Sequence, residues 1–183
     1  IVGEKRDLKF SVVRYGNVVG SRGSVIHTFN KIIESGSSSI PITDKNMTRF
    51  WITLQQGVDF VLKNFSRMYG GEIFIPKISS IKLTDLAKAM APKLKHKIIG
   101  IRPGEKLHEK MCSINESYLT LDFKDHYVIK PSIQFYDKNV DFSKNTLNEV
   151  GKPVHEDFEY RSDNNVRFLT VQEIIKLNNN LLV

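Results

Sequence analysis

Between Leu8 and Gly36 the sequence passes from a β-branched apolar run to a glycine-rich turn and then to a helical apolar pattern. "LKFSVVRY" (Leu8–Tyr15) reads as a buried strand stopped by Gly16. "GNVVGSRGS" follows as the turn. From Val25 to Glu34 the residues Val25, Phe29, Ile32 and Ile33 fall on one helical face, with Gly36 as C-cap. A strand, a tight glycine turn and a helix in that order favour an α/β fold, and the rest of the chain repeats the alternation. "SIPITD" (Ser39–Asp44) is a short strand, at an edge because of Pro41. Thr53 and Gln56 form a capping box. It opens a helix whose apolar side is Leu54, Val58, Val61, Leu62 and Phe65. Gly70-Gly71 stops that helix and "EIFIPK" is a strand. A helix over Leu83–Leu94, capped by Thr84 or Asp85, buries Leu86, Ala87, Met90 and Leu94. "KIIGIRPGEKLHEKM" reads as strand, turn and short helix. Ser117–Phe135 is mostly extended, and Lys138–Asn165 is polar and turn-rich. Thr170 and Glu173 open a terminal helix through a second capping box.

Composition narrows the function classes. The 183 residues are 40% hydrophobic, enough for a core. No run of 18 apolar residues forms a membrane span, and no signal peptide is visible. Cys112 is the only cysteine, so it makes no internal disulfide and fits a half-buried apolar role in a reducing cytoplasm. The net charge of +7 suits an anionic partner, but the lysines are scattered and not interleaved with aromatics. That argues against nucleic acid. The five histidines show no H-x-x-x-H spacing and no C-x-x-C is present, so no metal is expected. The chain opens Ile1-Val2-Gly3, which reads as a chain that has lost its beginning.

Three stretches could carry chemistry. In "NVVGSR" (Asn17–Arg22) small residues let backbone N–H groups approach a ligand, and the helix that follows favours an anion. A plain βα turn explains the same residues, because G-x-G-x-x-G is not completed. Arg49 sits in "NMTRFWI", where a charge among Met47, Phe50, Trp51 and Ile52 needs a partner. A phosphate and an ion pair with Asp44 or Asp59 serve equally well. In "GIRPGEKLHE" the rigid Pro103-Gly104 turn displays Arg102 and Glu105. Arg102 could hold a phosphate while Glu105 accepts from sugar hydroxyls; the alternative is a surface Arg102–Glu105 ion pair worth at most about 1 kcal/mol. His108 reads as a helix-surface residue.

Taken together, "RYGNVVGSRGSV", "PITDKNMTRFWIT", "GGEIFIPK", "GIRPGEKLHEKM" and "FEYRSDNNVRFLTVQEI" closely resemble the inverting UDP-N-acetylglucosamine 4,6-dehydratases. These belong to the extended short-chain dehydrogenase/reductase superfamily, within the polysaccharide-biosynthesis dehydratase group. The resemblance is to their C-terminal part and spans nearly the whole chain. It implies the C-terminal portion of a Rossmann-type fold with its smaller substrate-binding region. Residues 1–36 would close the NADP-binding domain and 37–183 would form most of the UDP-sugar region, as one interwoven unit. The implied reaction is a hydride relay: oxidation at C4, loss of water across C5 and C6, and return of hydride to C6 with inversion at C5. Its product is a UDP-linked 4-keto-6-deoxy-hexosamine for surface glycans, such as pseudaminic acid on flagellin or capsule sugars. A cytoplasmic homo-oligomer is implied.

On matching positions, Asn17, Arg49, Arg102 and Glu105 resemble UDP-sugar contacts. Val18, Val19, Gly20, Ser21 and Arg22 resemble the turn that meets the cofactor near its nicotinamide. No catalytic residue is expected here. The chain has no glycine fingerprint and no Y-x-x-x-K pair, and the family's catalytic residues lie upstream of Ile1. The expected activity is therefore that of the parent enzyme, with the 183 residues inactive alone. The alternative is a catalytically dead UDP-sugar-binding module or gene remnant.

Overall fold

The computed structural model describes residues 8–21, 23–133 and 140–179. It is mixed α/β, as the alternation of elements requires. The described residues fall into two compact units, one within 15–57, 78–111 and 160–179, the other within 8–14, 58–77 and 112–159.

In the first unit the strand Thr48–Ile52 is the middle of a three-stranded sheet. It runs parallel to Asn17–Val18 and antiparallel to Ser79–Lys82. Ser39–Ile42 pairs in parallel with Lys95–Ile98. The helix Val25–Glu34 has the expected bounds; Gly36 follows at φ 70, a left-handed conformation that suits glycine. Ile40, Ile42, Trp51, Ile81, Leu86 and Ile174 fill the core between these elements. Each such side chain contributes about 1.5–3 kcal/mol by leaving water.

Two expectations in this unit are corrected. The N-cap of the helix Leu83–Met90 is Lys82, two residues before Thr84 and three before Asp85; it makes no side-chain capping bond, and Leu94 lies beyond the helix end. No helix follows Pro103; residues 105–109 are irregular and lead into the strand Lys110–Cys112. The side chains of that segment are consumed by tertiary bonds, described below, rather than by helical neighbours.

In the second unit a five-stranded sheet runs in the order Val12–Val13, Ile73–Pro76, His126–Ile129, Thr120–Asp122, Lys152–Pro153. The first pair is parallel and the others antiparallel. Within the run Leu8–Tyr15 the structure forms a two-residue strand, Val12–Val13; among the described residues it pairs with Ile73–Pro76 alone, and Leu8, Phe10 and Val12 are exposed. The helix Leu54–Phe65, whose residues 54–57 belong to the first unit and 58–65 to the second, carries its expected capping box, since Thr53 N–H donates to Gln56 and Gln56 N–H to Thr53. Its apolar stripe faces differently: Leu54, Val58, Leu62 and Phe65 are exposed, and Gly57 and Asn64 are buried. Apolar periodicity marks a stripe but does not say what covers it. The expected extended stretch Ser117–Phe135 starts in the end of a 3-10 helix, Ile114–Leu119, and then holds the strands Thr120–Asp122 and His126–Ile129; its residues 134 and 135 lie outside the described residues.

Just past that helix lies a charge network with no counterpart in the sequence reading. Arg67 is fully buried. It donates to both oxygens of Asp125 (2.8 and 2.9 Å) and to both of Glu149 (2.7 and 3.0 Å). Lys63 reaches Asp125 at 3.1 Å. His126 stacks on Phe123 and lies 2.7 Å from Asp125 through Nδ1. Burial opposes ionisation of Asp125, but hydrogen bonds from Arg67, His126 and Lys63 outweigh it and hold the carboxyl well below its usual range. Burial holds the His126 imidazole below its usual value, against the pull of Asp125. Its Nε2 is buried with no partner, so a proton there would be left unsatisfied.

Both groups have depressed folded pKa values, so each contributes stability above its unfolded pKa and loses it on acidification. Stability should decline in two stages, first below about pH 6.5 as His126 is forced to charge and then below about pH 4 as Asp125 and Glu149 protonate. Urea melts across pH measure this, and His126→Phe should remove the upper stage and, by deleting one bond to Asp125, shrink the lower one. Arg67→Ala should cost about 3 kcal/mol, the low end for breaking a buried pair, because both carboxylates keep access to water.

Candidate functional site

The site is built on one edge-to-edge register. Asn17 lies beside Trp51 and Val18 beside Ile52 in the parallel pair. Gly16 makes that approach possible: a Cβ there would stand 2.4 Å from the Phe50 Cβ. Glycine is thus needed in "YGN" for space. The chain then leaves the strand; Val19 N–H donates to Ile52 O at 2.9 Å and Ser21 N–H to Val18 O at 3.3 Å. Gly20 and Gly23 sit at φ 76 and 75, with nothing within 4 Å of where a Cβ would be. Those two glycines bend the chain and leave open space above the turn. The Val19 side chain is buried in the core and its N–H is engaged, so only its carbonyl remains for a ligand. Arg22 lies outside the described residues.

Arg49 projects from the middle strand. Its Nη1 donates to the carbonyls of Thr48 (2.7 Å) and Leu107 (3.1 Å), and Nη2 approaches Met47 Sδ at 3.3 Å. Among the described residues it makes no ion pair, with Asp44, Asp59 or any other carboxylate. Arg102 is exposed on its turn. The Glu105 carboxylate does not pair with the Arg102 guanidinium. It accepts from the Arg102 backbone N–H at 3.4 Å and from the Thr43 hydroxyl at 3.4 Å. Both ion-pair alternatives raised by the sequence are therefore unformed, and two guanidiniums in this unit keep their charge without a carboxylate.

The structure adds residues that the sequence did not single out. Segment 107–109 is laced to the middle strand. Thr48 N–H donates to Leu107 O at 3.1 Å, and His108 Nδ1 meets Thr48 Oγ1 at 2.8 Å. Phe50 N–H donates to Glu109 Oε2 at 2.8 Å, and Ser162 Oγ accepts Glu109 N–H at 2.9 Å. Ser162 is fully buried and 2.7 Å from Thr48 Oγ1. His108, expected on a helix surface, is thus half-buried and bonded to a strand, with Asp163 3.8 Å from its Nε2. Arg161 forks across Asp163 at 2.9 and 2.7 Å and holds that carboxyl below its usual range. Burial pushes the Glu109 carboxyl up, against the Phe50 N–H, Arg49 and Lys106. A carboxylate closing "KLHE" was the available signal for Glu109. Cys112 is buried and free; burial pushes its thiol up. Among the described residues no cluster of three metal-ligating side chains occurs, and no helix is long and apolar enough to cross a membrane.

Residues 2–131 match the family model described as "Polysaccharide biosynthesis protein". The chain belongs to this family. It is 58% identical over 98% of its length to a Campylobacter jejuni protein named UDP-N-acetylglucosamine 4,6-dehydratase (inverting), covering 53% of that protein. A Rickettsia massiliae protein named UDP-glucose 4-epimerase is 40% identical over 64% of this chain and 36% of its own length. The solved structure of Pen from Bacillus thuringiensis superimposes with a TM-score of 0.76 at 31% identity, over 95% of this chain and 51% of that one. The chain thus spans about half the length of the Campylobacter relative and of this solved structure.

The two glycine types in the turn should respond differently to alanine. Gly16→Ala drives a methyl into Phe50 and should cost about 1–3 kcal/mol of stability, as overpacking does. Gly20→Ala meets no atom and should cost only the left-handed backbone penalty, about 1–2 kcal/mol. Chemical denaturation of both variants checks this, with a loss of sheet signal expected for Gly16→Ala first.

Proposed function

We propose that this chain carries the UDP-sugar-facing part of a UDP-N-acetylglucosamine 4,6-dehydratase that inverts C5 and forms a UDP-linked 4-keto-6-deoxy-hexosamine. The observation that carries the reading is Arg49. A guanidinium half-buried on a sheet, held in place by two carbonyls and left without a carboxylate, is matched to an anionic ligand. The 58% identity to the Campylobacter protein supports the particular substrate.

In this reading Arg49 and Arg102 balance the diphosphate of UDP. Glu105, oriented by Thr43 and by its own turn, accepts from sugar hydroxyls. Asn17 stands at the strand end beside the reacting sugar. Residues 1–36 belong to the cofactor-binding part and 37–183 mostly to the substrate part. The cofactor is NADP, which when bound supplies the hydride acceptor and donor. The open space above Gly20 and Gly23 fits the end of such a group, with Val18, Val19, Gly20 and Ser21 along it; Arg22 is assigned to the cofactor on the resemblance alone. These residues would bound the nicotinamide side; the 183 residues contain no G-x-x-G-x-x-G for its phosphates. The complete enzyme would work in the cytoplasm as a homo-oligomer and feed surface-glycan synthesis, pseudaminic acid on flagellin or a capsule sugar.

The likeness to the Rickettsia protein favours a second reading, epimerisation at C4. Mass analysis separates the two, because a dehydratase product has lost one water and an epimer is isobaric with its substrate. Full-length protein with UDP-N-acetylglucosamine and NADP should give the dehydrated product, and the 183 residues alone should give none. An isobaric product would establish the epimerase.

Arg49→Ala and Arg102→Ala in the full-length protein should each weaken UDP binding by about one to two decades, the worth of one charge-assisted contact. Arg102→Lys should recover part of this, since a point charge lacks the guanidinium fork. NADP affinity should hardly change. Calorimetric titration with UDP and NADP separately reads both. Equal loss of both ligands, or melting far below the parent, would make these arginines structural.

A further inference from the structure

We propose that His108 is a positioning residue for Arg49: acting through Thr48, it fixes the two carbonyls that hold the guanidinium by Nη1 and so presents the Nε–Nη2 edge to the diphosphate of the UDP-sugar. This rests on the reading above that Arg49 meets the diphosphate. It adds which edge of the guanidinium the phosphate meets and which residue sets that edge.

The direction of the bonds around His108 follows from counting hydrogens. The Glu109 N–H can only donate, and it reaches Ser162 Oγ at 2.9 Å. Ser162 is fully buried, and among the described residues the other partner of its hydroxyl is Thr48 Oγ1 at 2.7 Å. The Ser162 hydroxyl hydrogen therefore goes to Thr48, because the reverse direction would leave it buried without an acceptor. Thr48 in turn gives its own hydroxyl hydrogen to His108 Nδ1 at 2.8 Å. The ring is thus an acceptor at Nδ1 with its hydrogen on Nε2. Nε2 lies 3.8 Å from the Asp163 carboxylate, too far for a hydrogen bond but close enough to favour that tautomer.

Thr48 passes this constraint to Arg49. Its N–H donates to Leu107 O at 3.1 Å, its hydroxyl is fixed on His108, and its carbonyl accepts from Arg49 Nη1 at 2.7 Å. The second acceptor of Nη1, Leu107 O at 3.1 Å, belongs to the residue just before His108. Nη1 has two hydrogens, and these two carbonyls take them. Among the described residues Nε has no partner, and Nη2 meets only the Met47 thioether at 3.3 Å, a weak acceptor. Nε–H and one Nη2–H form the parallel pair that fits two oxygens of a phosphate. His108 can therefore act on the diphosphate without touching it.

The experiment measures UDP and NADP affinity of the full-length protein. His108→Ala should weaken UDP binding about three- to tenfold and leave NADP within about twofold. Added to Arg49→Ala, it should weaken UDP by less than about twofold more, because its effect passes through that guanidinium. His108→Asn sets an amide oxygen near the place of Nδ1 and keeps an acceptor for the Thr48 hydroxyl, so it should restore UDP affinity to within about twofold. His108→Gln sets its amide near the place of Nε2 and should bind UDP no better than His108→Ala. If His108→Ala does not fold, the Asn and Gln variants carry the test. Rescue by Gln, alone or as well as by Asn, would refute the Nδ1 assignment. A His108→Ala loss that persists in full beside Arg49→Ala, or an equal loss of UDP and NADP, would make His108 merely structural and overturn the proposal. Unchanged UDP affinity in Arg49→Ala would instead sink the underlying reading.

Discussion

The strand Thr48–Ile52 is bonded along both edges, and the features of the candidate site are hung on it. Asn17–Val18 and Ser79–Lys82 hold its two sides. Thr48, Arg49 and Phe50 then hold segment 107–109 through the Leu107 carbonyl, the His108 ring and the Glu109 carboxylate. A middle strand cannot slide without breaking two ladders, and a one-residue slip would turn Arg49 into the core and Phe50 out of it. Because the register is fixed, the Arg49 guanidinium and the Glu109 carboxylate are each tied to this strand, through the Thr48 carbonyl and the Phe50 N–H.

That arrangement explains why a glycine, an arginine and a glutamate far apart in sequence form one local design. Gly16 lets the parallel strand come close enough for Asn17 to reach Glu109. Arg49, next along the strand from Phe50, supplies positive charge that favours an ionised Glu109, while burial opposes it. The carboxylate is kept usable by its hydrogen bond from Phe50 and by Arg49 and Lys106 nearby. A half-buried acid with such support can orient a neighbour without leaving an unpaired charge.

Much of this was legible in the sequence where the signal is local. The helix Val25–Glu34 and the capping boxes at Thr53 and Thr170 follow from short-range chemistry, and the structure keeps them. Arg49 and Arg102 could be named because arginine in an apolar strand or on a Pro-Gly turn is unusual. What failed was long-range. The run Leu8–Tyr15 is apolar enough for a core, yet among the described residues its strand pairs only with Ile73–Pro76, and its apolar residues do not say what covers the other side. The stripe Leu54, Val58, Leu62, Phe65 shows the same limit on a helix. Residues 105–109 have helical spacing, yet Thr48, Phe50 and Ser162 compete for their polar groups and win. Glu109 was missed because its partners Phe50 and Ser162 lie 59 and 53 positions away in the chain.

The contrast between Arg67 and Arg49 shows what decides a structural from a ligand-binding arginine. Both sit next to apolar residues, and residue type alone does not separate them. Arg67 is fully buried and its guanidinium is divided between Asp125 and Glu149, so its charge is neutralised inside the fold and no donor faces outward. Arg49 is bonded to two backbone carbonyls, which orient the guanidinium but carry only partial charge. Carbonyls satisfy its geometry and leave its electrostatics open; carboxylates satisfy both. A protein that needed Arg49 only for stability would gain more from a carboxylate partner, or from an apolar residue with no charge to desolvate. Keeping a preoriented guanidinium with no direct carboxylate partner on a strand bonded along both edges has a cost that, in the proposed reading, an anionic ligand offsets. That is the physical reason to read Arg49 as part of a site, and Arg67 as part of the frame.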